Sequence, residues 1–184
     1  MRIVGGAWRG RPLAPLGKGD AGAHLRPTPD RVRESLFNLL AHSHGDPVSG
    51  ARVLDVFAGT GALGLEALSR GADSVVFLDS GRVSRRLISE NIQRFGVEDR
   101  ARLVARDALR AGPPPAEAAS LVFLDPPYGK GLGEKALAAL GGWIAQGALV
   151  VWEERGAQEA PAGFVPVDER AYGETHITIL EVVG

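Results

Sequence analysis

The fold of this chain is decided by the stretch Arg52-Val53-Leu54-Asp55-Val56-Phe57-Ala58-Gly59-Thr60-Gly61-Ala62-Leu63-Gly64. Residues 52–57 are apolar except at the start and at Asp55, which predicts a short buried strand, and residues 65–70 predict a helix. Glycines 59, 61 and 64 give a G-x-G-x-x-G spacing between the two. The first two glycines allow the backbone to approach a ligand closely, and the third allows the helix to pack against the strand. We therefore predict an α/β fold with a ligand at this loop.

Each of four successive apolar strands ends at, or is closely followed by, an aspartate. The pairs are residues 52–57 with Asp55, 74–78 with Asp79, 101–105 with Asp107, and 121–124 with Asp125. A single aspartate of this kind could simply cap a turn. Because the carboxyl ends of parallel strands line one crevice, we expect all four carboxylates to face one ligand site.

Glycine motifs of this kind occur in NAD enzymes, flavoproteins and many methyltransferases, so the surrounding charges must decide among the cofactors. Asp55 would repel a pyrophosphate on the following helix N-terminus and would suit a ligand with an ammonium and a sulfonium group. Asp79 is placed for ribose hydroxyls, and Asp107 for an adenine amino group. These features favour S-adenosylmethionine. The predicted cofactor-binding residues are Asp55, Ala58, Gly59, Thr60, Gly61, Gly64, Asp79, Ser80, Asp107, Ala108 and Asp125.

A second motif, Asp125-Pro126-Pro127-Tyr128, follows the apolar run 121–124. The Asp125 carboxylate and the Pro126 carbonyl can accept hydrogen bonds from an exocyclic NH₂ group, and the Tyr128 ring can stack on a base. Proline fixes φ at about −65°, which largely presets the direction of that carbonyl. The alternative is a Pro-Pro turn that merely ends a strand. With the glycine loop upstream, the motif predicts a receptor for an amino-bearing base, with Asp125, Pro126 and Tyr128 catalytic and Pro127 in contact with substrate.

Size and composition indicate one soluble domain. The chain has 184 residues, 45% of them hydrophobic, and we find no membrane span or signal-peptide pattern, so we expect a cytoplasmic protein. The absence of cysteine excludes disulfides and thiolate metal sites. The four histidines, His24, His42, His44 and His176, form no cluster with ligand spacing, and we expect no metal.

The charges are unevenly distributed along the chain. The formal net charge is −1, yet residues 1–36 carry seven Lys or Arg against three acids, whereas residues 151–184 carry two Arg against seven acids. A basic N-terminal segment suits contacts with nucleic-acid phosphates; the alternative is a merely solvated positive segment. We predict that Arg2, Arg9 and Arg11 contact RNA, and that Trp8 either stacks on a base or anchors the segment.

The N-terminal third is predicted to consist of an exposed hairpin over residues 3–13, a mobile loop over residues 16–22, and a helix. Thr28 is the expected N-cap, with Pro29 at the first position of an amphipathic helix that includes residues 31–40. The predicted buried face of this helix is Leu36, Phe37, Leu39 and Leu40.

Strands and helices alternate from residue 52 onward, which predicts an open, mainly parallel sheet with helices on both faces. The remaining predicted elements are a helix at 84–95 with Gly96 as C-cap, a short helix at 132–140, and strands at 147–152, 163–167 and 176–182. The last two strands are separated by a loop without helical pattern, so we expect an antiparallel hairpin at one sheet edge. We divide the chain into a basic hairpin and loop, residues 1–24, and one domain, residues 25–184.

With these motifs in hand, the chain resembles the class I S-adenosylmethionine-dependent methyltransferases, which have a Rossmann-like fold. More narrowly, it resembles the RsmD family of bacterial 16S rRNA guanine-N2 methyltransferases. The resemblance covers essentially the whole chain and rests on residues 2–11, 26–38, 54–68 and 125–128, of which the first two blocks are absent from generic methyltransferases.

The resemblance implies methyl transfer to the 2-amino group of one guanine in 16S rRNA, presented on an assembled or partly assembled small subunit, by an enzyme that we expect to be a monomer. It places Arg26 and Thr28 near cofactor or substrate. Tyr128 stands where the family usually has phenylalanine, and since both rings can stack, the substrate class is unchanged.

Two other classes of function share parts of this pattern. A DNA or protein amide methyltransferase would share both motifs, but a DNA enzyme usually needs an added target-recognition domain, and a glutamine methyltransferase would be expected to have Asn at position 125. A non-enzymatic nucleotide-binding assembly factor would keep the fold and leave the motif at 125–128 without a role.

Overall fold

A computed structural model describes residues 1–23 and 25–184; His24, one of the four histidines considered above, lies outside the described residues. Seven strands form one sheet in the order β3-β2-β1-β4-β5-β7-β6. The strands are β1 Arg52–Val56, β2 Ser74–Leu78, β3 Ala101–Val104, β4 Ala119–Leu124, β5 Ile144–Glu154, β6 Phe164–Tyr172 and β7 Thr175–Val182. Strands β1 to β5 pair in parallel, and β7 and β6 add an antiparallel hairpin at one edge. The predicted fold class is confirmed.

In the part of the chain that the structure describes, four α-helices cover the two faces of the sheet. They are α1 Asp30–Ser43, α2 Ala62–Ser69, α3 Arg82–Phe95 and α4 Leu132–Ala139. The central strand β4 shows how the core divides, because its buried side chains alternate between the faces. Leu121 and Phe123 pack in the cluster with α1, α2 and α3, whereas Val122 and Leu124 pack in the cluster with α4.

Several helix boundaries differ from the prediction. Pro29 is the N-cap of α1, and the Thr28 hydroxyl does not cap the helix but donates to Oε2 of Glu153 at 2.8 Å. Helix α1 extends to Ser43, while α2 and α3 begin three and two residues earlier than predicted. The buried face of α1 holds Leu36, Phe37 and Leu40 as predicted, whereas Leu39 is only half-buried. Gly96 caps α3 with a φ of 63°, which confirms the predicted C-cap.

The N-terminal segment, residues 1–14, packs against the helices, so its prediction as an exposed hairpin is wrong in this respect. Its two sides join through a single bridge between Arg2 and Pro12, and a 3₁₀ helix spans Gly6–Trp8. Ile3 and Leu13 are almost fully buried in the main core cluster. Residues predicted as a mobile loop instead include a 3₁₀ helix over Lys18–Ala23, in which the carboxylate of Asp20 pairs with Arg86.

A buried ionic network holds the N-terminal segment in place. The carboxylate of Glu66 accepts hydrogen bonds from the backbone N–H groups of Val4 and Gly5, at 2.9 and 2.8 Å, and from Nε of Arg70 at 2.9 Å. Arg33, counted above with the basic segment, is fully buried; its Nε lies 4.0 Å from Glu66, and it also pairs with Asp30. Arg33 therefore belongs to the core and cannot contact RNA.

The C-terminal hairpin is longer than predicted. β6 continues to Tyr172 and β7 begins at Thr175, so most of the predicted loop between them is strand. β5 also runs two residues beyond the predicted strand end, to Glu154. Among the described helices, none has both the length and the apolar content needed to span a bilayer.

Candidate active site

A cavity of about 740 Å³ opens at the carboxyl ends of β1, β2 and β4, where an open parallel sheet is expected to bind its ligand. Its size lies within the range of small-molecule sites. The residues of both predicted motifs share its wall. The predicted site residues that line the cavity are Arg26, Thr28, Asp55, Ala58, Gly59, Thr60, Asp79, Ser80, Asp107, Asp125, Pro126, Pro127 and Tyr128.

The glycine loop is shaped by backbone conformation and by Asp79. Phe57 and Gly59 both adopt left-handed φ values, of 57° and 60°. For a phenylalanine this conformation costs on the order of 1–3 kcal/mol, which is typical of ligand sites. The two carboxylate oxygens of Asp79 accept hydrogen bonds from the N–H groups of Gly59, at 2.9 Å, and Gly81, at 2.7 Å. Asp79 thus fixes the loop after β1 to the end of β2.

Three predicted cofactor residues, Gly61, Gly64 and Ala108, do not line the cavity wall. Gly61 is the N-cap of α2 with a φ of 80°. A Cβ atom at Gly64 would lie 2.4 Å from Cε1 of Phe77, so this glycine permits the close helix–strand packing expected of the third glycine.

Asp55 is buried beneath the glycine loop, where its Oδ2 accepts a hydrogen bond from the Gly64 N–H at 3.0 Å. Burial raises the pKa of Asp55 to about 8; the hydrogen bond opposes this rise, and the charge of Asp79 adds to it. A carboxylate with this pKa gains a proton when the cavity holds no cation, and it favours a positively charged ligand.

Asp125 follows β4, and its backbone N–H donates to the carbonyl of Val56 at 3.3 Å, which sets it beside the end of β1. Burial raises the pKa of Asp125 well above its ordinary value, and the neighbouring charges of Glu153, Asp55 and Glu154 raise it further. The site therefore holds several carboxylates close together. A ligand that is positively charged, or that donates hydrogen bonds through N–H groups, complements it.

Glu153, near the end of β5, is a site residue that the sequence analysis missed. Its Oε1 accepts a hydrogen bond from the Tyr128 hydroxyl at 2.7 Å, and its Oε2 accepts one from Thr28 at 2.8 Å. Burial and this hydrogen bond raise the pKa of Tyr128. Glu153 and Glu154 directly follow the apolar run 147–152, which is the same signal that identified the four aspartates.

Glu154 connects the two segments that form the rim of the cavity beside Tyr128. Its Oε1 accepts hydrogen bonds from the backbone N–H of Gly129 at 3.2 Å and of Arg155 at 3.1 Å. Two further cations, Lys130 and Arg155, line the cavity next to Tyr128. The rim beside the Asp-Pro-Pro-Tyr motif thus carries two cations in addition to the carboxylate of Asp125, while Asp55, Asp79 and Asp107 lie on the glycine-loop side.

The predicted RNA contacts of the N-terminal segment, Arg2, Trp8, Arg9 and Arg11, lie outside the cavity wall. The Trp8 ring packs on the Phe95 ring with centroids 5.1 Å apart. The backbone N–H of Trp8 donates to Ser69 Oγ at 3.0 Å. This packing favours Trp8 as an anchor of the segment. Arg9 and Arg11 remain exposed, although the Arg11 guanidinium also lies 4.4 Å from the centroid of the Phe95 ring.

The site as a whole suits a cationic nucleoside beside an amino-bearing base. Carboxylates face the glycine loop, where a pyrophosphate would be repelled. In the described part of the chain, no group of three or more His, Cys, Asp or Glu is arranged to hold a metal ion. Acceptors at Asp125 and Pro126, with the Tyr128 ring beside them, can receive a planar NH₂-bearing ligand.

Comparisons with known proteins agree with this chemistry. Residues 1–181 match the family model described as "Conserved hypothetical protein 95". The chain is 38% identical to "Ribosomal RNA small subunit methyltransferase D" of Escherichia coli K12 over 180 residues, which cover 95% of this chain and 86% of that protein. It is 36% identical to the Haemophilus influenzae protein of the same name over 159 residues, which cover 83% and 78%.

A solved structure agrees with the sequence comparisons. "Putative methyltransferase yhhF from Escherichia coli" superposes with a TM-score of 0.82 at 36% identity, covering 100% of this chain and 98% of that one. The matching family model, these relatives and this structure together show that the chain belongs to the RsmD family of methyltransferases.

Proposed function

We propose that this enzyme transfers the methyl group of S-adenosylmethionine to the exocyclic N2 amino group of a guanine in the 16S rRNA of the small ribosomal subunit. The observation that carries the proposal is the single cavity that joins the glycine loop to the Asp125–Tyr128 motif. Family membership supports the substrate class, since the curated relatives are named for the ribosomal RNA of the small subunit.

The cofactor is assigned to the glycine-loop side of the cavity. S-adenosylmethionine, when bound, supplies a methyl group on a positively charged sulfur. The backbone of Gly59 and Thr60 would approach it closely, Asp79 would bind ribose hydroxyls, and Asp107 would accept from the adenine amino group. Asp55 would face the cationic part of the ligand, and the ionisation of its carboxylate would be favoured by that charge.

The guanine is assigned to the Asp125 side. Its amino nitrogen is a weak nucleophile because the lone pair is delocalised into the ring. The Asp125 carboxylate and the Pro126 carbonyl would accept its two N–H bonds, disfavour that delocalisation and aim the lone pair at the methyl group. Fixed orientation is the larger contribution, since aligned reactions can gain about 7–11 kcal/mol. Asp125 would also receive the proton, which becomes acidic once the nitrogen is methylated.

Tyr128 would stack on the base after it leaves the RNA stack, a step that costs roughly a few kcal/mol. The tyrosine hydroxyl does not oppose this role, because it donates to Glu153 at 2.7 Å and so has a partner inside the protein. The hydrogen bond fixes the plane of the ring before substrate arrives. Glu153 is therefore a positioning residue for the proposed base contact.

The test is methylation of unmethylated small subunits and of naked 16S rRNA with a labelled methyl donor, followed by mapping of the modified nucleotide. Asp125→Ala should abolish turnover while S-adenosylmethionine still binds in a calorimetric titration. Asp99→Ala is the matched control, since Asp99 is exposed on the loop after α3. Turnover of Asp125→Ala near the wild-type rate would contradict the assigned role. Binding of NAD in place of S-adenosylmethionine would contradict the assigned cofactor.

The oligomeric state, the location and the RNA contacts outside the cavity complete the proposal. We propose that the enzyme acts as a monomer in the cytoplasm, where its ribosomal substrate is assembled, without a metal. The exposed arginines Arg9 and Arg11 would contact RNA phosphates outside the cavity. Sedimentation of the enzyme alone and with subunits tests the stoichiometry, and replacing both arginines should reduce the salt dependence of subunit binding.

A further inference from the structure

The rim of the cavity beside Tyr128 carries two cations that the proposed reaction chemistry does not use. We propose that Lys130 and Arg155 form a binding site for the RNA backbone phosphates that flank the extruded guanosine. This inference rests on the proposed function and adds to it how the RNA strand is held at the cavity mouth.

The two cations are held next to the position assigned to the base. Both line the same cavity as Tyr128, and the Arg155 guanidinium carbon lies 5.9 Å from the centroid of the Tyr128 ring. A nucleotide whose base contacts that ring has one phosphate on each side of its sugar. Cations beside the ring are therefore within reach of the backbone of the same nucleotide.

A buried carboxylate fixes the two cation-bearing segments to each other. Glu154 is only 7% exposed, and its Oε1 accepts from the N–H of Gly129 and from the N–H of Arg155. One oxygen thus joins the loop after β4 to the residue after β5. Because these contacts use backbone N–H groups, they leave both cationic side chains available for a ligand.

The charges of Lys130 and Arg155 differ from those of the surface arginines that form ion pairs. Arg86, Arg94 and Arg170 each pair with a carboxylate. Within residues 1–23 and 25–184, neither the Lys130 ammonium nor the Arg155 guanidinium forms an ion pair or a side-chain hydrogen bond, and both residues are exposed. Exposed cations without an ion-pair partner can neutralise phosphates without first breaking a salt bridge.

The loop that carries Lys130 has a left-handed glycine on each side of the lysine. Gly129 and Gly131 have φ values of 71° and 62°, and a Cβ atom at either would meet no atom within 4 Å. Glycine is therefore favoured at these two positions by backbone conformation and not by crowding. The tight turn keeps Lys130 at the rim.

The distribution of charge in the cavity favours a nucleic-acid strand over a free anion. Asp55 and Asp125 lie deeper, and they would repel a phosphate that entered the cavity. A strand that places an uncharged base inside and its phosphates at the mouth matches both regions. Arg26, which the family resemblance places near cofactor or substrate, is a third cation on the same wall.

The test compares Lys130→Gln, Arg155→Gln and the double variant with Lys135→Gln. Lys135 is exposed on α4 and does not line the cavity, so its replacement removes the same charge elsewhere. The measurements are methylation of unmethylated small subunits between about 50 and 300 mM salt, the range over which phosphate contacts respond, and calorimetric titration with S-adenosylmethionine.

Each rim variant should raise KM for subunits about fourfold to fivefold at about 0.15 M salt, because one phosphate contact contributes a salt exponent of about 0.7–0.9. The double variant should raise it about twentyfold and flatten the salt slope by roughly twice that exponent. Affinity for S-adenosylmethionine should stay unchanged, and the charge-preserving Lys130→Arg and Arg155→Lys should restore KM.

The outcomes separate the two proposals. If wild type methylates subunits and the rim variants match Lys135→Gln in KM and salt slope, the phosphate site is wrong while the proposed function stands. If wild type does not methylate subunits, the proposed function fails and this site with it. If Lys130→Arg and Arg155→Lys show the same increase in KM as the glutamine variants, the increase would indicate a defect of folding. That result would also overturn the phosphate site.

Discussion

In the ligand-free protein, Asp55 should lower the free energy of unfolding, and Asp55→Asn should raise it again. Burial raises the pKa of this carboxyl from 3.8 to about 8. At pH 7 the unfolded chain carries it ionised, so folding must take up a proton. One pKa unit corresponds to about 1.4 kcal/mol, and the cost at pH 7 is therefore up to about 4 kcal/mol. Asparagine avoids the charge and can still accept from the Gly64 N–H, so we expect a net stabilisation on the order of 2 kcal/mol.

The pH dependence has a definite sign. Because the folded-state pKa lies above the unfolded one, the contribution of Asp55 to stability is fully present below about pH 4 and is lost as the pH rises to about 8. The variant lacks this titration. The difference in unfolding free energy between Asp55→Asn and wild type should therefore grow from pH 5 to pH 8. Urea unfolding followed by the fluorescence of the three tryptophans measures it.

The control is Asp73→Asn, which makes the same exchange at an exposed aspartate before β2. A difference for Asp55→Asn that stays constant between pH 5 and pH 8, or a destabilised variant, would refute the burial argument. The ligand provides a second check. Binding of S-adenosylmethionine at pH 7 should release a proton in wild type, seen by calorimetry in two buffers. The variant should release less and bind at least about tenfold more weakly, a loss of about 1.4 kcal/mol.

Three further substitutions test how the site is supported. Glu153→Ala should lower the single-turnover methylation rate about tenfold with cofactor affinity unchanged, whereas Tyr128→Phe, which keeps the ring, should lower it less. Asn91→Ala should cost about 2–3 kcal/mol in urea unfolding, because it removes partners from one buried N–H and one buried carbonyl; it should also weaken cofactor binding. Gly64→Ala should destabilise the fold by roughly 1–3 kcal/mol, since its Cβ would lie 2.4 Å from Phe77.

Each of these expectations can be contradicted. Equal rates for Glu153→Ala and wild type would remove Glu153 from the positioning of the base. Asn91 links the N-terminal segment to the glycine loop, because its Oδ1 accepts from the Ala14 N–H at 2.7 Å and its Nδ2 donates to the Thr60 carbonyl at 3.0 Å. Unchanged cofactor affinity in Asn91→Ala would show that the N-terminal segment does not support the glycine loop. Gly141→Ala, at a glycine with neither crowding nor a left-handed φ, controls for chain stiffness alone.

The central sheet and the cavity could be predicted because their signals are local in the sequence. An apolar run that ends in an acid marks the carboxyl end of a buried parallel strand, and this holds for the strands that lead to Asp55, Asp79 and Asp125. The glycine spacing and the Asp-Pro-Pro-Tyr motif are likewise contiguous. Backbone constraints act within a few residues, so their consequences can be inferred without knowledge of the tertiary structure.

The features that the prediction missed depend on contacts between distant residues. Thr28 has the sequence context of an N-cap, but its hydroxyl meets Glu153, which lies 125 residues further along the chain. Arg33 looks like a surface charge until Glu66 supplies a buried counter-charge. β6 was predicted too short because, as an edge strand with mostly exposed residues, it lacks the alternation that marks a half-buried strand.

The buried network around Glu66 constrains how this sequence can evolve. One carboxylate serves Arg33, Arg70 and the backbone of Val4 and Gly5 at once. Loss of that carboxylate alone would leave the fully buried Arg33 guanidinium with only Asp30 as its counter-charge and two backbone N–H groups without their acceptor, at a cost of about 3–5 kcal/mol. Lineages could abandon the arrangement only by replacing acid and base together. We expect homologous sequences to covary at positions 33 and 66, so that an alignment would reveal this epistasis as paired exchanges and not as independent drift.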